Sequence, residues 1–331
     1  MQELENQIQK RLEVKHCICV CNATTGIQLV IKALDLKGEI IVPSFTFVAT
    51  AHAIHWLGLK PIFCDINLED HLIDPKHIES LITTYTSAIM AVSLWGQSCN
   101  YEEIQKIADK YGLRVIYDSA HSFGCKHENL YHGNFGNAEV FSFHATKVFS
   151  CMEGGAITTN CDELAAKLRI MRNFGFQEQD NSILVGINAK MNEISAAYGL
   201  VSLSDLNETI ERNKNNFETY CNTFAEFSKI EFLNLDTKND TNYQYVVAKV
   251  DPKIRDSLVS FFNKKNVFVR KYFHPGCHKM EAYKDKNMSC IELKNTTIIS
   301  SQLILFPTGF QVSPSDIGKF ADYFREFLKR N

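Results

Sequence analysis

Lys147 has a sequence context that favours a reactive amine. Lys147 follows the apolar, strand-like run Phe141–Phe143 and comes shortly before the glycine pair Gly154–Gly155. A lysine held among hydroxyl groups at a strand end loses hydration, which lowers its pKa and makes the amine nucleophilic enough to form a Schiff base. The alternative interpretation is an ordinary lysine in a surface loop.

An aspartate ends a second apolar run. Asp118 closes Val115–Tyr117, and His121 follows three residues later. A carboxylate at the end of a buried strand needs a partner, because an unpaired buried charge is costly. A pyridinium nitrogen, a metal ion or an arginine would each serve, and His121 lies over a ring or fills a polar pocket. Taken alone, Asp118 fits a structural role as well as a catalytic one.

A third segment has the features of an anion site. Cys21–Gly26 joins a strand-like run to a helical pattern, and small and hydroxyl residues leave backbone N–H groups free at a helix start. Thr24 is equally compatible with a plain helix cap. An anion site, a strand-end aspartate and a reactive lysine are together what pyridoxal phosphate requires. The combination therefore predicts this cofactor.

The elements that would position these residues alternate along the first half of the chain. Several apolar runs lack a polar–apolar alternation, which is typical of strands covered on both faces. The pattern predicts an α/β fold with a mainly parallel sheet wound by helices, whose ligands lie at the carboxyl ends of the strands. The predicted strands are His16–Val20, Glu39–Val42, Pro61–Cys64, Ser87–Val92 and Leu113–Asp118, and the predicted helices are Thr25–Leu36, Thr46–Leu57, Pro75–Thr83 and Tyr101–Tyr111.

The regular alternation of strand and helix patterns ends after residue 137. We expect a cofactor-binding large domain over residues 1–204 and a smaller C-terminal α/β domain over residues 205–331. The predicted strands are Ala138–Phe143, Gly155–Thr159, Ile230–Leu233 and Tyr243–Val250, and the predicted helices are Cys161–Asn173, Met191–Leu203, Asn207–Phe227, Arg255–Lys265 and Pro314–Leu328.

Composition excludes several classes of protein. The net charge of −3 provides no basic field for nucleic acid, and no apolar stretch is long enough to span a membrane. Neither a G-x-G-x-x-G nor a P-loop motif occurs. The eleven cysteines lie mostly in apolar runs without the spacing of a metal site, and the polar N-terminus is not a signal peptide. We expect free thiols, no metal and a cytoplasmic protein.

Several motifs in a fixed order resemble the DegT/DnrJ/EryC1/StrS family of pyridoxal-phosphate-dependent nucleotide-sugar aminotransferases. The resemblance implies the type I, aspartate-aminotransferase-like fold and spans nearly the whole chain. The motifs are N-A-T-T-G at 22–26, P-S-F-T-F-V-A-T-A at 43–51, Y-D-S-A-H-S-F-G at 117–124, F-S-F-H-A-T-K at 141–147, E-G-G-A-I at 153–157, G-I-N-A-K-M-N-E at 186–193, F-H-P-G-C-H at 273–278 and L-F-P-T-G at 305–309.

The resemblance also implies roles for individual residues. Lys147 would bind the cofactor through its amine and shuttle the substrate proton, and Asp118 would pair with the pyridinium nitrogen. His121 would lie against the ring, and His144 would support the lysine loop. The residues that would hold the cofactor phosphate are Thr24, Thr25 and Ser142.

The resemblance implies roles for Phe47 and Asn188 as well, and two basic residues are further candidates. Phe47 would stack on the cofactor ring, although a core aromatic is nearly as compatible with its position. Asn188 would reach the phosphate in the neighbouring subunit, which implies a homodimer with shared active sites. Arg172 and Lys190 would contact the phosphates of a sugar nucleotide or else be solvated helix charges.

The implied reaction moves an amino group from glutamate to a keto-6-deoxyhexose of a nucleotide sugar. The wording F-H-A-T-K is closest to members that aminate C4 of dTDP-4-dehydro-6-deoxy-D-glucose, whereas members that aminate C3 more often have F-Y-P-T-K. The products would feed O-antigen, lipopolysaccharide or other surface glycans.

Alternatives remain for the reaction. A branch of the family with histidine in place of the lysine dehydrates sugars, but this chain keeps Lys147. Amination at C3 and a non-catalytic regulatory or binding homologue also remain. The last of these is favoured by the short segment ahead of the first helix, since family members usually have a longer one.

Overall fold

The computed structural model describes residues 1–235, 239–284 and 292–330. Its helices are α1 Gln2–Leu12, α2 Ala23–Ala33, α3 Val48–Trp56, α4 Pro75–Leu81, α5 Tyr101–Tyr111, α6 Asp162–Arg172, α7 Glu193–Ser204, α8 Leu206–Phe224, α9 Pro252–Lys264, α10 Lys294–Gln302 and α11 Pro314–Arg330. Its strands are β1 His16–Val20, β2 Glu39–Pro43, β3 Lys60–Cys64, β4 Thr86–Val92, β5 Arg114–Asp118, β6 Lys126–His127, β7 Leu130–Tyr131, β8 Ala138–Ser142, β9 Gly155–Thr159, β10 Phe176–Glu178, β11 Asn181–Ser182, β12 Ile230–Phe232, β13 Val246–Val250 and β14 Leu303–Phe306.

Seven strands form the main sheet in the order β1-β9-β8-β5-β4-β2-β3. The pairs from β3 through β2, β4 and β5 to β8 are parallel, and β9 runs antiparallel to both β8 and β1. Every strand except β9 therefore points the same way. This confirms the predicted mainly parallel α/β sheet. Strands β2 and β9 are buried along their whole length, as expected for strands with helices on both faces.

Helices cover both faces of this sheet. On one face, α2, α3 and α6 contribute apolar side chains such as Val30, Ile54 and Leu168 to one core cluster. On the other face, α4 and α5 bury Ile78 and Ile104 in a second cluster. These layers leave the carboxyl ends of the parallel strands as the edge where ligands bind in wound sheets.

The register of the central strands sets the position of Asp118. It pairs with Val92 of β4 and with Val140 of β8, so it ends β5 in the middle of the sheet. Ser142, two residues beyond Val140, ends β8 at the same edge. The aspartate motif and the lysine motif therefore leave the sheet side by side.

The second helix begins earlier than the sequence predicts. Its first residue is Ala23 rather than Thr25, because the Asn22 side chain caps it and accepts a 2.9 Å hydrogen bond from the Thr25 N–H. The interpretation of Thr24 as the helix cap is wrong. Thr24 lies in the first turn of α2.

A second, antiparallel sheet lies in the C-terminal part of the chain. Strands β12, β13 and β14 pair in that order and pack with α8, α9 and α11 around Tyr220, Phe224, Phe262 and Phe324. Strand β14 was not predicted from the sequence. The domain boundary at residue 204 stays a prediction.

The ten cysteines within the described residues are free thiols, and seven of them are buried. The eleventh, Cys290, lies outside the described residues. Across residues 1–235, 239–284 and 292–330, no helix combines the length and apolar character that a membrane span requires.

Candidate active site

One cavity of about 550 Å³ opens at the carboxyl edge of the main sheet. It gathers seven of the eight residues that the sequence analysis selected. They are Thr24, Thr25, Phe47, Asp118, His121, Ser142 and Lys147. The eighth, Asn188, is exposed and lies outside the lining of this cavity.

Asp118 is buried at the base of the cavity, with 6% of its surface exposed. Its carboxylate accepts hydrogen bonds from the Thr50 hydroxyl at 2.7 Å and from the Ala120 N–H at 3.2 Å. Burial raises the pKa of this carboxyl, and the two hydrogen bonds and the charge of Lys147 only partly offset that effect. A cationic partner would therefore be strongly favoured here.

Lys147 enters the cavity from the loop after β8. Its Nζ donates a 3.1 Å hydrogen bond to the Tyr245 hydroxyl. Burial lowers the pKa of the amine to about 8, although the negative charge of Asp118 acts in the opposite direction. A substantial fraction of this amine is neutral, and hence nucleophilic, near physiological pH.

His121 lies between the side chains of Trp95 and Tyr245. Its ring stacks on the buried Trp95 with centroids 5.7 Å apart, and its Nε2 lies 3.0 Å from the Tyr245 hydroxyl. Burial, assisted by the charge of Lys147, lowers the pKa of His121 well below its ordinary value. Its Nδ1 is buried without a hydrogen-bond partner among the described residues.

The opposite end of the cavity is built from the start of α2 and the end of β8. Thr24, Thr25 and Ser142 line it. Gly155 allows β9 to pack closely against the start of α2, because a Cβ at this position would lie 2.8 Å from both the Ala23 nitrogen and the Phe141 carbonyl oxygen. The first N–H groups of a helix have no intrahelical partner and face an anion favourably.

Phe47 and His144 lie at the mouth of the cavity. Phe47 is 54% exposed, so the interpretation as a core aromatic is wrong. The Nδ1 of His144 lies 3.0 Å from the Thr146 hydroxyl, and its Nε2 lies 3.4 Å from the Glu153 carboxylate. His144 thus braces the loop that carries Lys147.

Arg172 and Lys190 are not where the sequence analysis expected them. Arg172 is buried, ion-paired with Glu5 and hydrogen-bonded to the Cys19 carbonyl at 2.8 Å. It is neither a solvated helix charge nor part of the cavity lining, because it holds α1 against β1. Lys190 donates to Asn173 at 2.7 Å and lies over the Phe174 ring, also away from the cavity.

Sequence reasoning missed three residues that the fold brings to the cavity or its base. Thr50 belongs to the P-S-F-T-F-V-A-T-A motif, but nothing local marks it as the partner of Asp118. Tyr245 and Arg270 line the cavity from the C-terminal part of the chain. The Arg270 guanidinium stacks over Tyr272 and has no acidic partner in the described part of the chain. The only local signal was the polar, aromatic run that precedes β13.

The cavity fits pyridoxal phosphate on its own geometry. The buried Asp118 carboxylate has no ion-pair partner among the described residues, and it suits a pyridinium nitrogen. The unpartnered Nδ1 of His121 suits a polar group on the ring. The start of α2, where Thr24 and Thr25 line the cavity, suits a phosphate. The amine of Lys147 completes the set that this cofactor needs.

The chain matches the model of the DegT/DnrJ/EryC1/StrS aminotransferase family over residues 1–325. It is 36% identical to a dTDP-4-amino-4,6-dideoxy-D-glucose transaminase of Shigella dysenteriae, over 96% of this chain and 86% of that protein. It is 31% identical to a dTDP-3-amino-3,6-dideoxy-alpha-D-galactopyranose transaminase of Aneurinibacillus thermoaerophilus, over 97% and 88% of the two chains.

A solved structure agrees with this assignment. The crystal structure of DesI in the presence of its TDP-sugar product superposes with a TM-score of 0.94 at 38% identity, covering 99% of this chain and 86% of that one. The predicted family, fold and cofactor are confirmed. The chain belongs to the DegT/DnrJ/EryC1/StrS aminotransferase family and is a pyridoxal-phosphate-dependent sugar aminotransferase.

Proposed function

We propose that this protein transfers the amino group of glutamate to C4 of dTDP-4-dehydro-6-deoxy-D-glucose. The observation that carries the proposal is the meeting of Lys147 and Asp118 in one cavity with the anion site at the start of α2. The choice of a dTDP sugar and of C4 is supported by the similarity to the Shigella transaminase and to DesI. Arg270 at the cavity wall suits the negative charge that both substrates carry.

In the proposed mechanism, the chain would hold the cofactor at its phosphate and at its ring nitrogen. Thr24, Thr25 and Ser142 would bind the phosphate, and Asp118 would keep a proton on the ring nitrogen. Pyridoxal phosphate, when bound, supplies the electron sink that allows a C–H bond beside an amino group to ionise. The hydrogen bond from Thr50 fixes the orientation of the Asp118 carboxylate.

Lys147 moves the proton in both halves of the proposed reaction. Its pKa of about 8 lies close to the working pH, where a general base is efficient. It takes the α-proton of glutamate and later delivers a proton to the carbon of the sugar that gains nitrogen. Phe47, at the mouth of the cavity, would restrict the entry of water.

The reaction is tested with the purified full chain, pyridoxal phosphate and glutamate. The substrates are a panel of 4-keto and 3-keto sugars linked to dTDP, GDP or UDP, and the products are analysed by mass and by NMR to locate the new nitrogen. We expect nitrogen at C4 of the dTDP 4-keto sugar, and no product with Lys147→Ala. Nitrogen at C3 would support the second candidate, which the 31% identical relative favours. No product from any sugar would refute both.

We also propose a homodimer in which Asn188 reaches the phosphate of the neighbouring active site. Asn188 is exposed in a stretch that also exposes Val185, Ile187 and Ile194, and a group of exposed apolar side chains is typical of an interaction surface. Light scattering gives the mass in solution. Mixing two inactive variants, Lys147→Ala and Asn188→Ala, should restore part of the activity through mixed dimers, whereas a monomer or a mixture that stays inactive would contradict the proposal.

We propose the cellular compartment from the state of the cysteines and the use of the product from its chemistry. The ten described cysteines are free, which fits a reducing compartment and hence the cytoplasm. An aminated 6-deoxyhexose on a nucleotide is an activated donor for glycosyl transfer, so we propose that the product enters O-antigen, lipopolysaccharide or another surface glycan. Deletion of the gene should remove the aminosugar from the surface polysaccharide, and an unchanged sugar composition would contradict this role.

A further inference from the structure

Tyr245 makes two polar contacts that join the most reactive side chains of the cavity. Its hydroxyl oxygen lies 3.1 Å from Nζ of Lys147 and 3.0 Å from Nε2 of His121. The residue immediately precedes β13, far along the chain from both partners. Of the side chains that line the cavity, Tyr245 is thus the one placed to couple the amine to the ring of His121.

The segment that carries Tyr245 is hydrogen-bonded to the loop after β5, which contains His121, and to the loop after β8, which contains Lys147. Asn242 donates from its side-chain amide to the carbonyl oxygens of His121 at 3.0 Å and Phe123 at 3.1 Å. Gln244 accepts a 2.8 Å hydrogen bond from the Val148 N–H, next to Lys147. Both anchors lie just ahead of Tyr245, and the pairing of Val246 with Phe306 holds the residue after it. The position of the Tyr245 hydroxyl is therefore set by the fold and not by its own rotation alone.

The protons of the three groups have one arrangement that satisfies each contact. Burial raises the pKa of the Tyr245 phenol, so it keeps its proton near neutral pH. His121 is neutral because burial lowers its pKa, and its Nε2 is therefore free to accept. Lys147 then donates to the phenol oxygen, the phenol donates to Nε2, and the remaining proton of His121 is on Nδ1. The stack on Trp95 keeps the ring in this orientation.

We propose that Tyr245 is a positioning residue that orients the Lys147 amine through a hydrogen-bond chain ending on His121. The proposal rests on the proposed function, because it assigns Lys147 as the group that moves protons. An acceptor beside Nζ favours the charged form of the amine. Removal of the hydroxyl therefore lowers the pKa of Lys147 and leaves the amine free to rotate, while the cavity walls stay in place.

The test compares Tyr245→Phe with Tyr243→Phe. Tyr243 is the matched control because it lies in the same segment and packs against Phe217, outside the cavity lining. The pH dependence of acetylation of Lys147 in the full chain, measured by peptide mass spectrometry before the cofactor is added, reports the titration of the amine. Far-UV circular dichroism checks that each variant is folded.

We expect the titration midpoint of Lys147 to move to lower pH in Tyr245→Phe and to stay at the wild-type value in Tyr243→Phe. In the holoenzyme, kcat should fall by roughly tenfold, the size of a lost hydrogen bond to a charged group, while KM for the nucleotide sugar changes little. The kcat loss should exceed that of Tyr243→Phe at every pH tested.

The outcomes separate this inference from the proposed function. A Tyr245→Phe titration that matches both the wild type and Tyr243→Phe overturns the positioning role, whatever the activity. An upward shift also overturns it, since the phenol would then donate to a neutral amine. A wild-type chain without aminotransferase activity refutes the proposed function instead, and the titration still decides the contact between Tyr245 and Lys147. If Tyr245→Phe is not folded, Tyr245→Leu replaces it, since leucine also removes the acceptor: a wild-type midpoint in that folded variant overturns the inference, and a lowered midpoint supports it.

Discussion

Thr50 donates a 2.7 Å hydrogen bond to the carboxylate of Asp118 across the base of the cavity. Thr50 belongs to α3 and Asp118 ends β5, so the contact joins two motifs that are 68 residues apart in the chain. One hydroxyl does not balance the loss of hydration at this carboxylate, whose pKa stays raised. The site therefore holds a negative charge at a cost to folding that a cationic ligand would relieve.

The first prediction concerns Asp118→Asn, which keeps the shape of the side chain. In the cofactor-free wild type, the raised pKa means that the folded protein binds more protons than the unfolded one just above the ordinary aspartate range. Stability therefore falls as pH rises from the ordinary aspartate pKa through the raised one. We expect this fall to shrink in Asp118→Asn, as measured by urea unfolding across pH.

The same variant should lose turnover by about 100-fold or more, because the charge beside the ring nitrogen is gone. Asp109→Asn is the control, since Asp109 is an exposed residue on α5. An Asp118→Asn protein that turns over normally, or that loses stability and rate together at every pH, would contradict the assigned role.

The second prediction concerns Lys147→Ala. Borohydride treatment of the wild type with pyridoxal phosphate should add the mass of the reduced cofactor at Lys147, and the variant should carry none at this position. The variant should also lack the visible absorption band of the bound cofactor. Its melting temperature without cofactor should not fall, because the buried amine is poorly hydrated in the wild type.

Lys167→Ala is the control for that experiment. Lys167 pairs with Asp35 on the surface and does not line the cavity. It should leave both the trapped mass and the absorption band unchanged. Specific trapping of the cofactor on another lysine of the wild type would refute the assignment of Lys147.

The third prediction concerns Gly155→Ala. The new Cβ would lie 2.8 Å from the Ala23 nitrogen and from the Phe141 carbonyl oxygen, and backbone atoms cannot move aside as a flexible side chain does. We expect a loss of about 1–3 kcal/mol in the free energy of unfolding. Affinity for pyridoxal phosphate should also fall, because the start of α2 is displaced.

Gly318→Ala on α11 is the matched substitution, since nothing lies within 4 Å of the Cβ it would add. It should be neutral or stabilise the protein by up to about 1 kcal/mol through helix propensity. Chemical unfolding and a fluorescence titration with the cofactor measure both effects. Equal behaviour of the two variants would show that the contact between β9 and α2 is not tight.

The fourth prediction concerns Arg172→Met. The substitution leaves the carboxylate of Glu5 buried without its cation, which should cost about 3–5 kcal/mol of stability. KM for the nucleotide sugar in the folded variant should not change, because Arg172 lies away from the cavity. Glu5→Leu combined with Arg172→Met should recover much of the loss.

Arg169→Met, one turn earlier on α6, is the control and should change stability by less than about 0.5 kcal/mol. Urea unfolding and steady-state kinetics give the two quantities. A rise in KM without a loss of stability would restore the phosphate-contact interpretation of Arg172.

The sequence alone predicted the parts of the site that a short segment contains. A strand, its last polar residue and the loop or helix that follows are contiguous, so residue types and spacing locate Asp118, Ser142 and Lys147 at the edge of the sheet. In the structure, Asp118 and Ser142 do end strands and Lys147 does lie in the loop that follows. Seven of the eight selected residues line one cavity.

Tertiary structure decided the contacts between segments. The pairing of Thr50 with Asp118, the placement of Tyr245 between Lys147 and His121, and the burial of Arg172 against Glu5 each join residues far apart in the chain. Such contacts depend on strand register and on how helices, strands and loops pack together, and neither is encoded in a local pattern. Local sequence therefore determines which chemical groups each strand end presents to the cavity. Packing determines their partners and, through burial, their protonation.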